Sequence, residues 1–216
     1  MSLTLTRERI EETVIHYVYP RPITFDEWLE TGDRERLTEL ISGTPVEKPM
    51  VQLEHEKLNL WLLHILAQYA MRTKIGTVLG TRSPIRINNF QGRMPDLFFV
   101  RKENEHLITA RATLCAPDLI IEIISPNDRK ADINATEADY QTIGVSEIVY
   151  IDLKRRRIRV LHKTDTNYTE ETLSEQSLIL QTMNHVTLEW AWLFEESRPD
   201  TIDTVLSLLQ KNPVSQ

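Results

Sequence analysis

Apolar residues recur at spacings of three and four along one stretch. Leu58, Trp61, Leu62, Ile65, Leu66, Tyr69 and Ala70 fall on one face over three turns. That spacing predicts the longest helix of the chain, ended by Gly76. Beyond it the pattern becomes that of strands. "TVLGTRSPIRI" and "MPDLFFVR" read as strands, joined by the turn-rich link "NNFQGR". Residues 102–116 are polar, as in a loop or short helix. "PDLIIEII" is a short apolar run between Pro117 and Pro126, which suits a strand better than a helix. "SPND" stops it and opens a helix from about Lys130 to Ile143, ended by Gly144. "EIVYID" and "RIRVLH" are strands joined by the basic turn "LKRRR". "NYTEETL" and "SLIL" continue the hairpins, and a helix, "DTVLSLLQK", closes the chain.

Upstream of the long helix, residues 1–23 read as an arm: a short polar helix, then "YPRP". Thr24 and Glu27 have capping-box spacing and open the short helix "FDEWLE". "RLTELISGTPVEK" alternates around a Ser-Gly turn, as a hairpin does. The order predicts an α/β fold, a mixed β-sheet with helices on its faces. One domain would span residues 24–216, behind the arm; there is no internal repeat.

The totals narrow the class only slightly. A chain of 216 residues, 41% hydrophobic and 26% charged, suits one globular domain. A net charge of −7 argues against a general nucleic-acid coat protein, but not against a local basic groove. The single Cys115 excludes an intramolecular disulfide and a four-cysteine zinc site, and the expected compartment is a reducing cytoplasm. The first residues, "MSLTLTRERIEETV", are too polar for the apolar region of a signal peptide. No apolar run approaches the ~18 residues of a membrane span.

One residue breaks the pattern. Glu122 stands inside the apolar run of residues 119–124. Period-two geometry puts Asp118, Ile120 and Glu122 on one face of their strand. At ~3.3 Å per residue, Asp118 and Glu122 lie ~13 Å apart, too far to grip one ion together. A partner for Glu122 must come from a neighbouring strand, where side chains sit ~5 Å apart. Asp96 qualifies, because it too follows a proline and opens an apolar strand. Two acids side by side in a half-buried sheet repel each other and are costly to desolvate. A divalent cation removes both penalties, and oxygen-only ligands favour Mg²⁺ or Mn²⁺. Asp96 and Glu122 are therefore the expected ligands, with the carbonyl of Ile123 as a third. The competing expectation is that these acids merely accept backbone or arginine donors at strand ends.

"MPDLFFV", "APDLIIEIISPNDR" and "ADYQTIGVSEIVYID", with the upstream "LTELISG" and "EHEKLNLWLLHIL", resemble the Uma-two family. Its members are restriction-endonuclease-like proteins of the PD-(D/E)XK nuclease superfamily. The resemblance runs from about Thr24 to about Leu193. It implies a restriction-endonuclease-like fold and a Mg²⁺- or Mn²⁺-dependent endonuclease, a hydrolase that cleaves the phosphodiesters of DNA with metal-activated water. A homodimer on duplex DNA is a further expectation. By the same resemblance Asp96 and Glu122 are the two metal-binding acids, and Asp118 falls on the family's second Pro-Asp. His55 matches a recurring histidine and Glu39 a recurring glutamate. Both would support water or a second metal.

The superfamily also needs a lysine near the second acid. In this family it sits four residues before a tyrosine, here Tyr140, and that position holds Thr136. Lys130 is the candidate replacement, although six residues on a helix separate it from position 136. A second reading follows from Thr136: a nuclease scaffold kept as a nucleic-acid or protein interaction module. A third is a structural homo-oligomer whose acids only cap strands.

Other motifs carry less. "HEKLN" begins like a zinc-protease helix, but Asn59 stands where the second histidine is required. His64 is expected to be a packing histidine. "KRRRIR", from Lys154, is either a phosphate contact or a solvated turn. "WAWLF" is expected to be core. There is no phosphate-binding glycine loop and no nucleophile elbow.

Overall fold

The computed structural model describes residues 6–8, 16–18, 21–31, 37–80, 82–126 and 128–211. In chain order these form β1 (Thr6–Glu8), β2 (His16–Val18), α1 (Phe25–Thr31), β3 (Thr38–Ile41), β4 (Thr44–Glu47), α2 (Leu53–Thr73), β5 (Gly76–Gly80), β6 (Ile85–Asn88), β7 (Gln91–Arg93) and β8 (Leu97–Arg101). After a 3-10 turn at Lys102–Leu107 come β9 (Leu119–Ile124), α3 (Lys130–Ile143), β10 (Glu147–Asp152), β11 (Arg157–Lys163), β12 (Tyr168–Leu173) and β13 (Leu178–Leu180). A 3-10 turn at Gln181–Met183, β14 (Val186–Leu188), α4 (Trp190–Phe194) and α5 (Thr201–Lys211) complete the chain.

Two six-stranded sheets organise these elements. One has the order β1-β2-β4-β3-β7-β6, the other β12-β11-β10-β9-β8-β5, and β13 pairs with β14 alone. In the second sheet β9 and β10 are parallel and the remaining pairs antiparallel. This is the expected mixed α/β class. The period-two reading of β9 holds. Leu119, Ile121 and Ile123 join the core under α2, with Leu58, Leu62, Ile65 and Leu66. Ile120 faces the opposite core, with Tyr140 of α3 and Ile85 of β6. A third cluster packs Phe25 and Trp28 of α1 against Leu40 of β3. A Cβ on Gly92 would meet the Phe25 ring at 2.5 Å, so only glycine admits that approach.

Local chemistry explains several boundaries. The Thr24 N–H donates to Glu27 Oε2 at 2.8 Å, and the Glu27 N–H donates to Thr24 Oγ1 at 3.2 Å: the capping box closes as expected. The hairpin β3–β4 turns through Ser42 and Gly43, both at positive φ. α3 runs over Lys130–Ile143 and ends on Gly144 at φ 81°, both as expected.

Four expectations are corrected. The segment expected to be a short polar helix is strand at Thr6–Glu8, paired with β2; the rest of that expectation lies outside the described residues. Antiparallel pairing outweighs the weak propensity of so short and polar a helix. The long helix ends on Lys74 at φ 57°, whose N–H reaches back to the Ala70 carbonyl, and Gly76 already starts β5. "TVLGTRSPIRI" is two strands in different sheets, broken at Arg82 (φ 74°) and Pro84. "NNFQGR" is a hairpin, with Asn88 Oδ1 accepting the Phe90 N–H at 2.8 Å in the turn.

His64 is a smaller departure: it is exposed rather than packed. Nine residues on a helix amount to two and a half turns, so His64 faces away from the side that buries His55. The aromatic run is core-facing as expected, with Leu193 buried and Trp190, Trp192 and Phe194 against the main core. Among the described residues, no helix is long and apolar enough to cross a membrane.

Candidate active site

Strand register brings the two acids together. Leu97 lies opposite Ile121 in the antiparallel pair β8–β9, so Asp96 falls opposite Glu122. Pro95 has no N–H to extend the ladder, and the carboxylates take over the backbone donors there. The Asp96 N–H donates to Glu122 Oε2 at 3.3 Å, and the Ile123 N–H donates to Asp96 Oδ2 at 2.9 Å. Glu122 Oε1 accepts the hydroxyl of Tyr140 at 2.5 Å. Two donors, the Asp96 N–H and the Tyr140 hydroxyl from the last turns of α3, therefore hold the acid that the apolar run made conspicuous.

His55, in the first turn of α2, is buried and lies 3.0 Å from Asp96 Oδ2 through Nε2. The bond assigns Nε2 as its donor. Burial opposes charge on Asp96, but the His55 bond, the nearby Lys48 and the Ile123 N–H together hold its carboxyl below the ordinary range. The same contact holds His55 above its ordinary value against the effect of burial. Glu122 goes the other way. Burial, then the negative charge of Asp96, pushes it up to about 8.

Three further residues complete it, of which the sequence names only Tyr140, and only as the marker for position 136. Lys48, just beyond β4, donates to the Met94 carbonyl at 2.7 Å and lies 3.7 Å from Glu39 Oε1. Burial opposes its charge, but Glu39, Glu122, Asp96 and Asp128 overcome that and raise its pKa. Arg93 of β7 donates to Glu39 Oε2 at 2.9 Å and to Asp139 Oδ2 of α3 at 2.6 Å. Tyr140 enters as the donor to Glu122. Glu39 accepts from Arg93 and from the Met94 N–H, both at 2.9 Å, and Lys48 lies 3.7 Å from its carboxylate.

The remaining sequence candidates lie apart. Lys130 is exposed at the start of α3 and lines a cavity of about 480 Å³ with Ser125, Asp128, Lys154, Arg155 and Arg157. Thr136 is half-buried on α3. Asp118, at the far end of β9, accepts the Arg101 N–H at 2.9 Å, so the competing strand-end reading is right for that acid. Arg156 of the basic turn is exposed and lies 4.7 Å from the Trp190 ring, with its guanidinium donating to the Phe194 carbonyl at 3.0 Å.

The acid pair fits a hard divalent cation. Two carboxylates and the Ile123 carbonyl are all oxygen donors, and a divalent ion would offset both the burial and the Asp96 charge that raise Glu122. Among the described residues no group of three or more His, Cys, Asp or Glu side chains is placed to hold a metal. Two carboxylates with backbone, water and substrate oxygens are the ligand set Mg²⁺ commonly accepts.

A family model, Uma2, described as "Putative restriction endonuclease", matches residues 24–192. Among solved structures the chain is similar to a protein from Anabaena variabilis ATCC 29413 described as a "putative nuclease belonging to DUF820". The two are 21% identical with a TM-score of 0.67, and the match covers 80% of this chain and 98% of the other. At that identity the likeness is one of fold, and it supports the restriction-endonuclease-like class. No curated protein matches the chain.

Proposed function

This chain belongs to the Uma2 family, and we propose that it is a metal-dependent DNA endonuclease whose centre is Asp96, Glu122 and the Ile123 carbonyl. The carrying observation is the face-to-face placement of Asp96 and Glu122 on paired strands, with Glu122 driven up to about 8. A bound Mg²⁺ or Mn²⁺ would polarise the phosphodiester and help deprotonate the attacking water.

The chain's own residues do the positioning. Asp96 spends Oδ2 on His55 and Ile123, which fixes its rotamer and leaves Oδ1 to face a ligand. Tyr140 fixes Glu122 in the same way through Oε1. Such pre-set groups cost no reorganisation during reaction. Water adds to phosphorus, one P–O bond breaks, and the departing oxygen takes a proton. Flanking phosphates would meet Lys130, Lys154 and Arg157 in the adjacent cavity. Arg155 and Arg159 there are already paired, with Asp152 and with Glu137 and Glu170.

Thr136 favours the second reading, a catalytically impaired scaffold acting as a nucleic-acid or protein interaction module. Incubation with supercoiled plasmid and Mg²⁺ or Mn²⁺ separates the two. Nicking that disappears in Asp96→Ala supports the enzyme. Salt-sensitive DNA binding without nicking supports the module, and neither activity overturns both.

A further inference from the structure

We propose that Lys48 is the lysine of this active site, replacing from the β3–β4 hairpin the residue that α3 lacks at position 136. The inference rests on the endonuclease reading above and assigns a role within it. Three observations carry it.

The first is position. Lys48 Nζ is tied to the carbonyl of Met94, two residues before Asp96, while Glu39 accepts the Met94 N–H. The ammonium is thus fixed to the segment that delivers the first acid. An ammonium has three protons to donate, and only one is spent on Met94. The second is charge. Four carboxylates, on Glu39, Glu122, Asp96 and Asp128, act on Lys48. Its side chain is only 21% exposed, so these interactions are weakly screened. The third is the poor placement of the alternative. Lys130 is exposed at the start of α3, and the lysine whose charge acts most on Asp96 and Glu122 is Lys48.

A fixed cation at this place has two consequences. It stabilises negative charge on a phosphate undergoing substitution, keeping its proton throughout. It also repels a divalent ion bound to the same acids. Losing Lys48 should therefore weaken catalysis and strengthen metal binding, a combination that a merely structural lysine would not produce.

The test compares wild type, Lys48→Met and Lys48→Arg in Mn²⁺ binding without DNA and in single-turnover cleavage at saturating Mn²⁺ and DNA. Lys48→Met is expected to bind Mn²⁺ about tenfold more tightly. Its cleavage rate should fall about 100-fold or more, with the DNA concentration for half-maximal rate little changed. Lys48→Arg keeps the charge on a differently shaped group and should lose about tenfold. Should Lys48→Met fail to fold without metal, Lys48→Arg decides alone: an unchanged rate overturns the proposal. Cleavage by Lys48→Met at the wild-type rate, or Mn²⁺ binding no tighter than wild type, overturns the assignment while leaving the endonuclease reading standing. A wild type that cleaves no DNA with either cation removes the endonuclease reading and this role together.

Discussion

Tyr140 donates its hydroxyl proton to Glu122 Oε1 at 2.5 Å from a ring with no exposed surface. This contact ties α3 to the middle of the central sheet. Tyr140→Phe would leave Glu122 with only the distant Asp96 N–H as a donor. A lost bond to a charged or strongly polarised carboxyl costs about 1–3 kcal/mol. The variant should lose unfolding free energy of that size, read from urea melts at unchanged m-value, and show a smaller rise in melting temperature on adding Mn²⁺. Equal values in both assays would mean that Tyr140 does not hold the acid.

Glu27 offers a pH-dependent test away from the centre. Its bonds to the Arg21 guanidinium, then to the Thr24 N–H, hold its carboxyl at about 2, below the ordinary 4.5. An acid depressed by folding contributes stability above its unfolded value and loses it as pH falls through its folded value. The gap in urea midpoint between wild type and Glu27→Gln should be constant from pH 7 to about 5. It should narrow below 4.5 and close near 2. A gap that does not change with pH would show that the carboxylate charge is irrelevant to α1.

Sequence and structure part company along a physical line. α3, its Gly144 cap, the capping box and the facing of β9 depend on spacing over a few residues, and each was readable. Asp96 and Glu122 could be matched because both open or interrupt apolar strands and their register is short-range in the sheet. Lys48 could not be found this way. Its contact with Met94 arises because β3 pairs with both β4 and β7, and nothing in "TPVEKPM" announces that pairing. Arg93 was hidden similarly, since its partners Glu39 and Asp139 lie 54 and 46 residues away. The outward turn of His64 was readable in principle: nine helical positions from His55 is half a turn out of phase.

The basic cavity lined by Lys130 predicts how the proposed DNA binding responds to salt. Each phosphate contact releases counterions and contributes about 0.9 to the slope of log affinity against log salt. Lys154 and Arg157 are exposed and line the cavity with Lys130. Replacing both by Gln should lower that slope by about 2 and weaken binding across unrelated sequences alike. The melting temperature should change little, since exposed side chains away from special features seldom matter by more than about 0.5 kcal/mol. An unchanged slope would place the DNA elsewhere on the molecule.

Position 136 allows the missing charge to be put back. Thr136 and Tyr140 are four residues apart on α3, so their side chains share a face, and Tyr140 already reaches Glu122. A lysine at 136 would extend along that face with a stem long enough to follow the tyrosine. If the centre is intact and wants only a cation, Thr136→Lys in the Lys48→Met background should restore about tenfold or more of the lost cleavage rate. In the wild-type background it should add little, because Lys48 already supplies the charge, and the two substitutions should therefore be strongly non-additive. Single-turnover nicking of the four proteins measures this directly. Independent, multiplicative effects of the two substitutions would mean that the two positions do not serve one site.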